Sequence, residues 1–97
     1  MLRSAPIPGL SGFSCAATNL SDSEIEINIV ITSSTGFVET NEYVDVDAGL
    51  TEQERADGPG TFRCTINWTG NPNDFVASFC SYENAGAIQG IVCLELF

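Results

Sequence analysis

Isoleucine occupies every second position from Ile25 to Ile31, and Glu24, Glu26, Asn28 and Thr32 fill most of the places around it. Period two over eight residues puts the apolar set on one side of an extended chain, whereas a helix would scatter it around its whole circumference. β-Branched side chains suit such a pleated, half-buried surface. The segment predicts an amphipathic strand.

The same signature recurs along the chain. Phe13, Cys15 and Ala17 alternate with Ser14, Ala16 and Thr18, and Phe62, Cys64, Ile66 and Trp68 alternate with Arg63, Thr65 and Asn67. Phe37 to Asp47 predicts one long or broken strand with a bend or bulge at Asn41-Glu42. Phe75 to Tyr82 and Ala87 to Phe97 complete the set. The last segment is apolar on both faces, which predicts a central position or a face covered by a partner. Polar and Gly/Pro clusters separate these segments. Ala48 to Gly60 is the one place for a short helix, because Thr51 and Glu54 fit a capping box that Gly58-Pro59-Gly60 ends at once.

About six or seven strands in so short a chain predict an all-β fold, a small disulfide-stapled β-sandwich with Ig-like or jelly-roll-like connections. A small barrel is the alternative. Residues 1–12 form an extended N-terminal arm, since its prolines and glycines exclude a helix, and residues 13–97 form the β-sandwich domain.

Cys15, Cys64, Cys80 and Cys93 form no C-x-x-C pair, and the chain has no histidine to complete a mixed zinc site. An even cysteine count in a domain of 97 residues reads as two disulfides. Cys64 and Cys80 lie nearly equidistant from Asn71-Pro72-Asn73, so a hairpin there would favour Cys64–Cys80 with Cys15–Cys93. The rival couples Cys15 to Cys64 across the sandwich and Cys80 to Cys93 across the final hairpin. Disulfides point to an extracellular or periplasmic protein. No apolar signal segment opens the chain, so the sequence reads as a mature, secreted form.

Thirteen carboxylates face three arginines, giving a formal net charge of −10. Such a surface repels nucleic acid and anionic lipid, and no apolar run reaches the ~20 residues of a membrane helix. Without histidine or lysine, Ser-His-Asp, Cys-His and Schiff-base chemistry are all excluded, and no phosphate-cradling glycine loop or nucleophile elbow is present. No enzymatic activity is expected. No cofactor is expected beyond calcium, for which Asp45, Asp47, Glu52 and Asp57 around Gly49 supply hard oxygen ligands.

Two functional readings remain. The first is a non-catalytic structural or assembly subunit, homo-oligomeric or bound to another protein. It would self-associate through arm residues Pro6, Ile7, Pro8 and Leu10 and through strand addition at a sheet edge. The second is a secreted binding module for calcium, a glycan or a basic protein. In its glycan form Trp68, Tyr43 and Tyr82 would make a stacking platform, although parity assigns Trp68 to the core. Asn19-Leu20-Ser21 and Asn67-Trp68-Thr69 match the N-glycosylation sequon.

Overall fold

The computed structural model describes the backbone of residues 1–9, 11–85 and 88–97, and the side chains of residues 1–9, 11–82 and 92–97. Its strands are β1 (Leu2–Arg3), β2 (Ile7–Gly9), β3 (Gly12–Asn19), β4 (Ile25–Ser33), β5 (Val38–Val46), β6 (Thr51–Asp57), β7 (Gly60–Asn67), β8 (Phe75–Ala85) and β9 (Ile88–Glu95). They build two antiparallel sheets. The first has the order β1-β7-β4-β5 with β2 also on β7, and the second has the order β6-β3-β8-β9.

The core lies where the alternation places it. Ile27, Ile29 and Ile31 of β4 face Phe13, Cys15 and Ala17 of β3, all at most 1% exposed. Each such isoleucine contributes roughly 1.5–3 kcal/mol relative to an exposed one. The Phe13 ring sits 4.5 Å from Phe62 and 5.5 Å from Phe79, joining the sheets through aromatic contact. Both long sides of the sandwich are stitched. Arg3 and Phe97 exchange backbone hydrogen bonds of 2.9 and 3.0 Å, and Thr40 Oγ1 donates to the Arg55 carbonyl at 2.9 Å.

The arm is part of the fold. β1 and β2 both pair antiparallel with β7. Between them, buried Ser4 donates its N–H to the Cys64 carbonyl and accepts the Cys64 N–H on its hydroxyl, each at 2.9 Å. Ile7 is buried, and a Cβ on Gly9 would lie 3.0 Å from the Phe13 ring and 3.1 Å from Ser81. Pro6 and Pro8 are exposed. Of the residues expected to reach a neighbour, Ile7 instead packs into its own core, and Leu10 lies outside the described residues.

Other expectations are corrected. Thr51 to Asp57 is not helical but the edge strand β6, paired along its length with β3. β9 is an edge strand rather than a central one. The bulge falls at Glu39, because Ile31 pairs with Thr40 while Thr32 pairs with Val38. The extra residue turns Val38 to the outer face, where it is 49% exposed.

The disulfides are Cys15–Cys64 and Cys80–Cys93, not the favoured Cys15–Cys93 and Cys64–Cys80. Parity explains this. Cys15 and Cys64 point inward from opposite sheets, fully buried, with Cα atoms 6.3 Å apart. Cys80 lies between inward-facing Phe79 and Ser81, so it projects from the outer face, directly opposite Cys93 on β9. The Asn71–Asp74 turn is not a hairpin, because β7 and β8 belong to different sheets. Two disulfides suit an oxidising, extracellular setting. Among the described residues no helix is long and apolar enough to cross a membrane.

Candidate functional site

The outer face of the first sheet is set by the residues that alternate with the core. Asn28 of β4 stands opposite Asn67 of β7 on one side and opposite Tyr43 of β5 on the other. The amides form a ladder. Asn67 Nδ2 donates to Asn28 Oδ1 at 3.3 Å, and Asn28 Nδ2 donates to Asn41 Oδ1 at 2.7 Å and to the Glu42 carbonyl at 3.2 Å. Asn28 is therefore committed to holding the face in register. Asn67 keeps its Oδ1 and one N–H for a ligand.

Trp68 follows the last residue of β7. Parity with Phe62, Cys64 and Ile66 predicts a core residue, but the strand has ended and the indole is only half-buried. One edge is anchored. Its Nε1 donates to the Asn71 carbonyl at 3.1 Å, and its ring lies 4.9 Å from Phe75 at an angle of 55°. Another part of Trp68 joins Tyr43, Asn28, Asn67, Glu26 and Thr69 in lining an open recess of about 350 Å³. Tyr43 is 67% exposed, so its ring is available for contact.

Two of the three expected platform aromatics thus line one recess. Tyr82 does not join them. It sits on the outer face of the second sheet, where a Cβ on Gly12 would fall 2.7 Å from its ring.

Asp45, Asp47, Glu52 and Asp57 are not brought together as one set. Among the described residues no three His, Cys, Asp or Glu side chains converge to hold a metal. Asp45 stands opposite Glu26, while Glu52 and Asp57 are at opposite ends of β6. Asp47 shares a hydrogen bond with Glu24; that bond, with repulsion from Asp45 and Asp47, holds the Glu24 carboxyl above its ordinary value. Asp45 on β5 and Asp47 just past its end are set apart from Glu52 and Asp57, which the length of β6 separates from each other.

The two sequons also separate. Asn19 is fully buried, its Nδ2 donating to the Ser23 and Val46 carbonyls at 2.8 Å each and its Oδ1 accepting from Ser21. It is a structural residue. Asn67 lies in the recess itself.

No protein-family model matches this sequence, and no curated protein matches it. The fold is similar to the crystal structure of Thermotoga maritima 1070, with a TM-score of 0.75 at 10% sequence identity, over 99% of this chain and 90% of that one. The likeness concerns fold alone.

Proposed function

We propose that this chain is a secreted, non-catalytic carbohydrate-binding module whose site is the recess bounded by Tyr43, Trp68, Asn28 and Asn67. The observation that carries the reading is the convergence of two aromatic rings with asparagine amides in one open, solvent-facing recess. Sugars present C–H faces that pack on aromatic rings and hydroxyl pairs that bond to planar amides, so both halves of the chemistry are supplied. Among the described residues Glu26 is the one carboxylate lining the recess, whereas glycoside hydrolysis ordinarily needs two flanking the scissile bond. The disulfides support an extracellular or periplasmic setting.

The test uses the single tryptophan of the chain as a reporter. Titration with a panel of neutral and acidic oligosaccharides should give a saturable change in Trp68 emission for at least one of them. Affinity should fall about tenfold or more in Tyr43→Ala, a loss of roughly 1.4 kcal/mol of binding. Silence across the panel would contradict the reading.

A structural or assembly role is the second reading. It is favoured by β9, an edge strand on which Val92 is 58% exposed, and by Phe97 after its end, which is 84% exposed. Strand addition there needs no free arm.

A further inference from the structure

The chain holds only three cations against thirteen carboxylates, yet two of the three lie together. Arg3 of β1 pairs with Thr65 of β7, and Arg63 is two residues from Thr65 on the same outer face. Such diagonal neighbours lie roughly 7–8 Å apart, close enough for two guanidinium groups to meet over one small anion. With Thr32, Ser34 and Thr65 they line an open recess of about 440 Å³.

Neither arginine is consumed by the fold. Among the described residues neither makes an ion pair, and the contact of Arg3 Nη2 with the Met1 sulfur, at 3.9 Å, is weak. The hydroxyls of Thr32, Ser34 and Thr65 likewise make no hydrogen bond among the described residues, whereas Ser33 and Thr35 bond to each other. Planar guanidinium forks and uncommitted hydroxyls are donors suited to the oxygens of a carboxylate or sulfate.

The net charge of −10 does not cancel this local field. Glu26 and Asp45, with Glu24 and Asp47 beyond them, cluster at the opposite end of β4 and β5, while the single carboxylate of β5 near the arginine end, Glu39, stands beside Val38 one strand beyond Thr32 and pairs with neither arginine among the described residues. Glu26 and Thr32 are six strand residues apart, about 20 Å, which exceeds two Debye lengths at physiological salt. The face is polarised along its strands.

The geometry points to an oxyanion subsite at Arg3 and Arg63, and hence to an acidic glycan, carboxylated or sulfated, as the ligand of the neighbouring recess. The ligand class rests on the carbohydrate reading above. Asn67 and Arg63 lie on the same face of β7, four residues or about 13 Å apart. An oligosaccharide of a few units spans that distance, with one ring at Tyr43 and Trp68 and an acidic group between the arginines.

The experiment compares glycans matched in backbone and differing in charge: oligogalacturonate against its methyl ester, and carrageenan oligosaccharides against the same oligosaccharides desulfated, at constant ionic strength. Inorganic sulfate alone is a third arm, read by thermal shift. An acidic member should bind at least about tenfold tighter than its neutral counterpart, and Arg63→Gln/Arg3→Gln should erase that preference. Equal affinity within each pair, with binding intact, overturns the subsite and leaves the carbohydrate reading standing. A preference that survives the double substitution also overturns it. If no glycan binds, the carbohydrate reading fails and the sulfate arm decides: a shift lost in the double variant supports a site for the free ion, and no shift overturns the arginine site.

Discussion

Trp68 and Phe75 brace each other across the turn that joins the two sheets, their ring centroids 4.9 Å apart. Phe75 is buried at the start of β8, so the core fixes one side of the indole while the recess receives another. Phe75→Leu should therefore weaken glycan binding although it touches no ligand, and should cost about 1 kcal/mol of stability. Tyr43→Ala should weaken binding with the melting temperature unchanged. Calorimetry on both variants checks the contrast.

The two disulfides should differ sharply in access. Cys15 and Cys64 are fully buried, whereas Cys93 is exposed. Mild reductant without denaturant should open Cys80–Cys93 first and leave Cys15–Cys64 intact, as mass spectrometry after thiol alkylation would read. The sequence separations are 49 and 13 residues. Chain entropy then assigns about 4 kcal/mol to the first bridge and about 3 kcal/mol to the second. Loss of Cys15–Cys64 also disturbs the core, so its removal should lower the melting temperature more.

Asn19 ties the end of β3 to Ser23 and to Val46 at the end of β5 through two side-chain bonds. Asn19→Ala leaves those carbonyls without their donor inside the fold and should cost roughly 1–3 kcal/mol. Denaturant unfolding measures it. Glycosylation of the folded domain should be absent at this residue.

Acidification should stabilise the protein over a limited range. Glu24 has its carboxyl raised by the hydrogen bond with Asp47 and by repulsion from Asp45 and Asp47, and Glu54 is raised by burial and then by repulsion from Glu42 and Glu52. The folded state thus holds these protons more tightly than the unfolded chain. Their contribution falls as pH rises through the raised folded values and is regained on acidification down to the ordinary value of 4.5. Melting temperature should be higher near about pH 5 than near about pH 7, and Glu24→Gln should raise the neutral value and flatten the slope. A flat wild-type profile would contradict this.

The core was legible because one physical rule governs it. Alternation in β3, β4 and β7 marks Phe13, Cys15, Ile27, Ile29, Ile31, Phe62, Cys64 and Ile66, and all are buried. β6 lies where the sequence allows a short helix, because a capping signal is local, while the pairing with β3 that makes it a strand is not. The disulfide pairing turned on parity: Cys80 sits one position out of phase with its buried neighbours Phe79 and Ser81. Trp68 and Tyr43 carried the right residue types for a platform. Their sharing one recess depends on β4, which carries Asn28, lying between β5 and β7, a relation no linear spacing contains. The arginine pair was invisible for the same reason, since Arg3 belongs to an arm whose docking on β7 joins distant parts of the chain.

The most direct test of the account is an NMR titration of the isotope-labelled domain with an acidic oligosaccharide. The account predicts that the Trp68 indole N–H and the Asn67 side-chain amide shift together in fast or intermediate exchange, while Val76 and Ser78 on the opposite sheet stay still. Shifts centred on the second sheet, or none at saturating ligand, would contradict it.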